Sequence, residues 1–408
     1  MDIAVVGGGP AGAAAAITLA RAGREVVLFD KAAFPRDKCC GDGLTTGALR
    51  LLERLGLDPA AVPSWKVVSD VWVRSPSGFE VDFPLPRGPG VFGAVARRVD
   101  LDAALLDVAR AEGVKVHEGH GVKSASASAS ASASASAGRL RLDVDGLGVV
   151  EPRHVVAADG MWSVVRKSLS ASEPPGYLGE WHAMRQYFSG VTGSAAEQLW
   201  VWFEPDLLPG YAWSFPLPGG RANVGFGIRR SPGSPTHVMK AAWASLLERP
   251  HIRAALGPGA QAESAVKAWP IPGRPSSALT AAGGAVLFTG DAARAPDPMT
   301  GEGIGQALET GVLAAESIIC GRDYAASVRS GIGLDNRLAD WLSGHALAHR
   351  KGARTAVRLA GLTGWTRRNF ARWLFEDYPR AVLATPGRWG DYSLTGPGAF
   401  QSAFPAGF

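Results

Sequence analysis

The chain has 408 residues and a mass of 42.5 kDa. At roughly 100–200 residues per domain that is too long for one small core and suits two packed units with an extension. With 46% hydrophobic and 19% charged residues, and no run of about 18 uncharged apolar residues, it is neither a disordered nor a membrane-spanning chain. The net charge of +5 is local: eight Lys/Arg between Arg350 and Arg380 face only Glu376 and Asp377, and the rest of the chain holds 34 basic and 35 acidic residues. A nucleic-acid binder would spread a basic face over its fold, so none is expected as a partner. Three cysteines (Cys39, Cys40, Cys320) and eight histidines without metal spacing argue against a disulfide framework and a metal site. Met1 leads straight into a strand-like segment without a secretory pattern, and the expected compartment is the cytoplasm.

Taken in chain order, Ile3 to Val6 reads as a buried strand, Gly7-Gly8-Gly9-Pro10-Ala11-Gly12 as a tight turn and Ala13 to Ala22 as a helix of small residues. Gly23 is its stop, and Glu25 to Phe29 is a second strand ending at Asp30. Val91 to Val95 reads as a strand and Arg98 to Ala111 as a helix; Val114–His117, Leu140–Val144, Val155–Ala158 and Ala285–Thr289 read as further strands. From Tyr177 to Ala268 a region rich in Trp, Phe, Pro and Gly shows alternation, as in Gln198–Phe203 and Asn223–Arg229, and predicts an inserted antiparallel sheet. Seven Ser-Ala repeats at Ser124–Ala137 are too plain to carry chemistry. The tail from Leu334 reads as helical and loses its pattern after Ala384.

The fold class is therefore α/β: a Rossmann-type dinucleotide-binding domain with an inserted, mainly antiparallel substrate sheet and a helical C-terminal region. The expected boundaries are 1–60, 95–175 and 275–330 for the first, 61–94 and 176–274 for the second, and 331–408 for the tail. Gly7, Gly9 and Gly12 form GxGxxG between strand and helix, where they permit the turn, a close approach of pyrophosphate and tight helix packing. Asp30, at the end of the second strand, would accept from a ribose hydroxyl, with Lys31 beside it in the cofactor set.

Two later motifs specify the nucleotide by resemblance. Ala158-Asp159-Gly160 through Arg166, and Thr289-Gly290-Asp291-Ala292-Ala293 followed by Pro298 and Gly301-Glu302-Gly303-Ile304, resemble the paired motifs of the glutathione-reductase-type FAD superfamily, including flavoprotein monooxygenases. The resemblance implies FAD, with Asp291 at the ribityl chain, Gly301-Glu302-Gly303-Ile304 beneath the flavin ring at a helix N-terminus, and Gly290 and Pro298 in the cofactor set. It also implies that the Asp159-Gly160 motif serves both the FAD pyrophosphate region and a pyridine nucleotide, and that Arg98 lies near the cofactor. Pro35 to Leu44, containing Lys38-Cys39-Cys40-Gly41, resembles the Cys-Gly loop of geranylgeranyl reductases. Tyr211-Ala212-Trp213-Ser214-Phe215-Pro216, then eight residues to Gly225-Phe226-Gly227, is similar to their aromatic signature. Trp200-Val201-Trp202 imitates a halogenase motif but lacks the Ile-Pro that would follow.

The resemblance, over roughly residues 1–320, implies an FAD-dependent reductase of isoprenoid double bonds, with Tyr211, Trp213, Phe215, Gly225 and Gly227 in an apolar pocket. Cys40 is the candidate catalytic residue, in a redox or proton-donating role, and Lys38 would touch cofactor or an anionic head group. An FAD monooxygenase or oxidase of a specialised metabolite is the alternative; Arg294, where many aromatic hydroxylases have His, speaks against it. The electron donor, NAD(P)H or a reduced protein carrier, stays open, since no second GxGxxG of a separate NAD(P)H domain is present. The expected partner is an apolar small molecule. Residues 350–373 mix cations with Leu359, Leu362, Trp365, Phe370 and Trp373: they would rest on an anionic membrane, meet a prenyl diphosphate, or form a solvated face packed on the body.

Overall fold

The computed structural model describes residues 1–127, 140–170, 176–230, 236–274, 277–381 and 396–404. In chain order the elements that build the site are β1 (Ile3–Val6), α1 (Pro10–Arg21), β2 (Val26–Asp30), α2 (Thr46–Arg54), β3 (Asp70–Arg74), β4 (Glu80–Pro84) and α3 (Arg98–Ala111). Then come β5 (Lys115–Glu118), β6 (His154–Ala157), β7 (Trp181–Ser189), β8 (Leu199–Trp202), β9 (Tyr211–Leu217), β10 (Arg221–Arg229), β11 (Lys267–Ile271) and β12 (Val286–Phe288). Three helices close the series: α4 (Ile304–Cys320), α5 (Arg350–Ala360) and α6 (Gly364–Leu374).

The first sheet runs β12-β6-β1-β2-β5, all parallel, with the two-residue strand Thr280–Ala281 antiparallel at its edge. Every side chain of β1, β2 and β12 is buried, as expected where helices cover both faces of a parallel sheet. The second sheet runs β7-β10-β9-β8-β3-β4, with β11 and the short strand Gln261–Ala262 both on the outer side of β7. It is antiparallel except where β8 meets β3. Its members come from residues 70–84 and 181–271, so the chain leaves the first sheet twice to build it. This is the α/β class with an inserted, mainly antiparallel sheet.

Several local expectations shift. The first helix starts at Pro10, not Ala13, because proline at the first helical position gives up an N–H that would have no partner there anyway. The strand expected over Val91–Val95 narrows to Ala94–Val95, with Val91 in an isolated bridge to Ala399. Two helices, Thr236–Leu247 and Pro250–Leu256, stand where only sheet was expected. They cover the outer face of the second sheet, where Trp243 stacks on Phe226 and Trp200 on Trp202. Of the Ser-Ala repeat, Ser124–Ala127 belong to a strand paired with Leu140–Val144; the remainder lies outside the described residues, as does most of the tail after Ala384.

The small residues of α1 let α4 approach it closely. A Cβ on Gly311 of α4 would stand 2.2 Å from the Ala11 carbonyl oxygen of α1. Alanine is ordinarily the better helix residue, by up to about 1 kcal/mol, but here it must push two helices apart, which costs about 1–3 kcal/mol. Gly311→Ala should therefore lower the urea midpoint of unfolding; an unchanged or raised midpoint would show that the α1–α4 contact is slack.

Candidate active site

One large cavity, of about 1060 Å³, runs from the carboxyl ends of β1, β2, β6 and β12 to the inner face of the second sheet. That is at the upper end of the range usual for ligand pockets and leaves room for more than one ligand. At the first end β1 delivers the chain into Gly7, whose φ of +103° and approach to the Ala158 carbonyl (2.3 Å from a would-be Cβ) admit no side chain. Asp30 is buried at the end of β2, where Oδ2 accepts from the Gly8 amide at 2.6 Å and Oδ1 from the Ala32 amide at 2.8 Å. Beside Gly9 two guanidinium groups converge: Arg36 Nη2 and Arg98 Nη2 lie 3.5 and 3.7 Å from where its Cβ would be. Arg98 is locked by Asp102, Nε to Oδ1 and Nη2 to Oδ2, each at 2.7 Å, and Arg36 Nη1 reaches the same carboxylate at 3.0 Å. A helix N-terminus with two fixed cations above it is a seat for an anionic, phosphate-bearing group.

At the other end the inner face of the second sheet lines the cavity. One register row crosses it: Lys267 of β11, Arg185 of β7, Gly225 of β10, Trp213 of β9, Val201 of β8 and Val73 of β3. The row grades from cations through an aromatic ring to aliphatic side chains. Tyr211, Trp213 and Phe215 form a continuous wall, with successive ring centroids 6.0 and 6.1 Å apart. Gly225 lies beneath Trp213, where a Cβ would meet Cζ2 at 2.3 Å, so this glycine of the signature makes room for the ring. Trp200 and Trp202 point the other way, into the layer under Trp243.

The Cys-Gly loop packs against that wall. Would-be Cβ atoms on Gly41 and Gly43 lie 3.2 and 3.0 Å from Phe215. Between them Asp42, at φ +67° and 0% exposed, accepts from Tyr187 Oη at 2.6 Å, Asn223 Nδ2 at 2.8 Å and the Arg98 amide at 3.3 Å. Asn223 in turn donates to the Cys40 carbonyl and accepts from Trp213 Nε1. Burial pushes the Asp42 carboxyl up to about 6 against these bonds. Burial, and next the Asp42 carboxylate, push the Cys40 thiol up to about 11, so the group facing the cavity is a protonated thiol. Cys39 is pushed up to about 12 by burial, and its thiol donates to the Lys267 carbonyl. Asp37 holds Arg185 Nη2 at 2.7 Å and Lys267 Nζ at 2.6 Å; although burial opposes it, the two cations keep its carboxyl below the ordinary range.

A loop at 296–304 joins the two ends. Tyr211 donates from Oη to the Thr300 carbonyl, Gly301 takes φ +68°, and Gly301, Gly303 and Ile304 line the cavity at the start of α4. Asp297 Oδ1 accepts from the amides of Met299 and Thr300, and its Oδ2 meets Arg380 Nη1 at 2.7 Å, so the C-terminal region fixes this loop. Glu302 Oε1 caps α4 by accepting from the Ile304 and Gly305 amides. Burial first and the Glu376 carboxylate second push its carboxyl well above the usual carboxylate range.

Of the residues the sequence singled out, Gly7, Gly9, Asp30, Lys31, Lys38, Arg98, Asp159, Gly290, Asp291, Gly301, Gly303 and Ile304 line the one cavity, with Cys40, Tyr211, Trp213, Phe215 and Gly227. Lys38 Nζ pairs with Asp291 Oδ2 at 2.9 Å. Asp159 Oδ2 accepts from the Val164 and Val165 amides, fixing the turn that follows β6. Three do not line it. Gly12 is pressed on the Gly7 carbonyl, Pro298 sits behind the loop near Gly273, and Gly225 is covered by Trp213. Sequence reasoning missed Arg36, Asp42, Arg185 and Asn223. For Arg36 and Asp42 the signal was at hand, since both stand in the quoted Cys-Gly segment.

FAD fits this arrangement: the Gly9 cradle under two arginines suits a pyrophosphate, Asp30 a ribose, Asp291 a ribityl hydroxyl and the 301–304 turn the ring. Arg36→Met should weaken FAD binding by roughly tenfold or more, the weight of one charge-assisted hydrogen bond, as read by titrating the apoprotein; an unchanged affinity would remove Arg36 from the cradle. Glu302→Gln tests the buried carboxyl. The folded protein holds this proton to higher pH than the unfolded chain, so the wild type loses stability as pH rises through the folded value, and the glutamine variant lacks that slope. Its melting temperature should gain on the wild type between about pH 5 and about pH 8; a constant difference would refute the assignment.

Residues 1–320 match the model of the FAD binding domain family. The chain is 34% identical over 360 residues to the menaquinone reductase of Mycolicibacterium smegmatis, covering 80% of this chain and 78% of the relative. It is 31% identical over 333 residues to digeranylgeranylglycerophospholipid reductase 1 of Methanopyrus kandleri, covering 77% and 79%. Its fold is similar to that of a geranylgeranyl bacteriochlorophyll reductase-like protein from Thermoplasma acidophilum, with a TM-score of 0.65, 20% identity and coverage of 96% and 97%. With the cradle, the aromatic wall and these relatives in agreement, the chain belongs to the FAD binding domain family and is an FAD-dependent oxidoreductase of the geranylgeranyl-reductase type.

Proposed function

We propose that this enzyme reduces carbon–carbon double bonds of an isoprenoid chain. The observation that carries the reading is the register row Arg185–Gly225–Trp213–Val201–Val73, which grades from cation to aromatic to aliphatic within the cavity that holds the FAD-binding residues. An isoprenoid bearing a polar head matches such a wall, since its tail offers nothing to hydrogen-bond. Bound and reduced FAD supplies the hydride. Trp213 and Phe215 hold the alkene by ring and edge contacts, and the apolar side chains of β8 and β3 exclude water along the tail. The Cys40 thiol, protonated at neutral pH, is the group we assign to hold the proton that completes saturation. Its Sγ is fixed by the Asp42 amide at 3.3 Å. A chain of this kind partitions into bilayers, which places the enzyme's work at a membrane surface. The electron donor is a nicotinamide or a reduced protein carrier; bleaching of the flavin by NADPH alone would identify the former.

The holoenzyme, reduced anaerobically and given geranylgeranyl diphosphate or a polyprenyl quinone, should return product heavier by about two mass units per double bond, one hydride plus one proton. A gain of about sixteen units in air would assign it to the monooxygenases instead. Trp213→Ala should keep FAD and raise KM for the prenyl substrate at least about tenfold, from roughly 3–5 kcal/mol of lost packing partly recovered by water or repacking. Unchanged turnover would remove the aromatic wall from the substrate site.

A further inference from the structure

The apolar arm of the cavity does not end in the core. Beyond the valines of β3 and β8 it runs along Val357 and Ala360 of α5 and Phe370 of α6, and reaches Leu359 and Trp365. These two line the cavity and are also 57% and 67% exposed, and Leu362, in the turn between the helices, is 69% exposed. Three large apolar side chains in water at the mouth of an apolar cavity are not the ordinary scatter of surface hydrophobics.

The helical segment that forms this side of the mouth carries charges of one sign. From His345 to Phe375 the chain has no acidic residue and seven Lys/Arg. Arg367 is tied to Asp82 and Arg372 to Asp377. Lys351, Arg354 and Arg358 recur at i, i+3 and i+7 along α5, and Arg368 follows on α6; all four are exposed and none forms an ion pair among the described residues. Tryptophan and leucine at the level of lipid head groups, flanked by unpaired cations, is the composition that binds an anionic bilayer. An acidic protein partner would use the cations but would have no use for a cavity opening under the apolar edge.

We propose that the Leu359–Leu362–Trp365 edge of α5 and α6, ringed by Lys351, Arg354, Arg358 and Arg368, docks on an anionic lipid bilayer and passes an apolar chain from it into the cavity. The docking rests on exposure and charge; the passage rests also on the isoprenoid reading above. A lipid-borne chain entering here moves from acyl tails to Val357 and Phe370 without crossing water.

Flotation of the holoenzyme with vesicles tests the docking. It should rise with mixed phosphatidylglycerol–phosphatidylcholine vesicles, leave them in high salt, and stay in solution with phosphatidylcholine alone. Lys351→Glu/Arg354→Glu should weaken binding by roughly 25-fold or more, at about fivefold for each cation, and Leu362→Asp should abolish it. Neither variant alters the cavity lining, so both should keep their yellow cofactor and reduce a detergent-dispersed geranyl compound at the wild-type rate. With a polyprenyl quinone held in the anionic vesicles, their turnover should fall at least about tenfold. Wild-type enzyme that stays in solution with anionic vesicles, binds neutral ones equally well, or binds through the variants unimpaired overturns the proposal. So does association of this face with an acidic protein carrier in place of lipid. Flotation lost in the variants, with no prenyl compound reduced by any form, would uphold docking and overturn both the passage and the isoprenoid reading. Prenyl reduction without flotation would uphold the reading and overturn the docking.

Discussion

The architecture turns on one buried carboxylate. Asp42 leaves the first unit on a left-handed turn and inserts a side chain that water does not reach between Tyr187 of β7 and Asn223 of β10, while taking the amide at the start of α3. A carboxylate buried in this way is costly unless its oxygens are satisfied, so the three donors fix both its position and the relation between the two sheets. The aromatic side of the cavity follows from that relation. Gly41 and Gly43 flank Asp42 and rest on Phe215, Cys40 hangs from its amide, and Asn223 links it to Trp213. Two sequence motifs some 170 residues apart are thus the two halves of one contact.

A second tie works at the opposite edge. Arg380, 1% exposed, reaches from the C-terminal region to Asp297, whose other oxygen shapes the loop before α4. Tyr211 donates to the same loop from the aromatic wall. The turn at the start of α4 is therefore held by the second sheet and by the tail together. Its geometry belongs to no single unit.

The parallel sheet and its cradle were legible because they rest on local rules: an apolar strand, a glycine turn, a helix of small residues and a carboxylate after the next strand. The aromatic wall was legible because alternation along β9 puts Tyr211, Trp213 and Phe215 on one face. What escaped needed partners far away in sequence. Arg185 sits in an apolar strand and reads as an anomaly until Asp37 and Lys267 come to meet it. Asp42 looks like a turn residue until Tyr187 and Asn223 close over it, and Gly225 looks like a pocket residue until the Trp213 ring is seen to lie on it. The helices over residues 236–256 were lost in a stretch whose Trp, Pro and Gly content resembles sheet and turns.

The glycine under Trp213 also bears on how such an enzyme changes its taste. With a would-be Cβ only 2.3 Å from the indole, position 225 tolerates no drift, and Gly41 and Gly43 hem in Phe215 from the other side. The aromatic end is a fixed die. Val71, Val73, Leu199 and Val201, at the aliphatic end, carry no hydrogen bonds that the site depends on and exchange with other apolar side chains at small cost. On the proposed function, divergence toward longer or shorter chains is therefore free to run along β3 and β8, while the aromatic end that would present the bond stays the same.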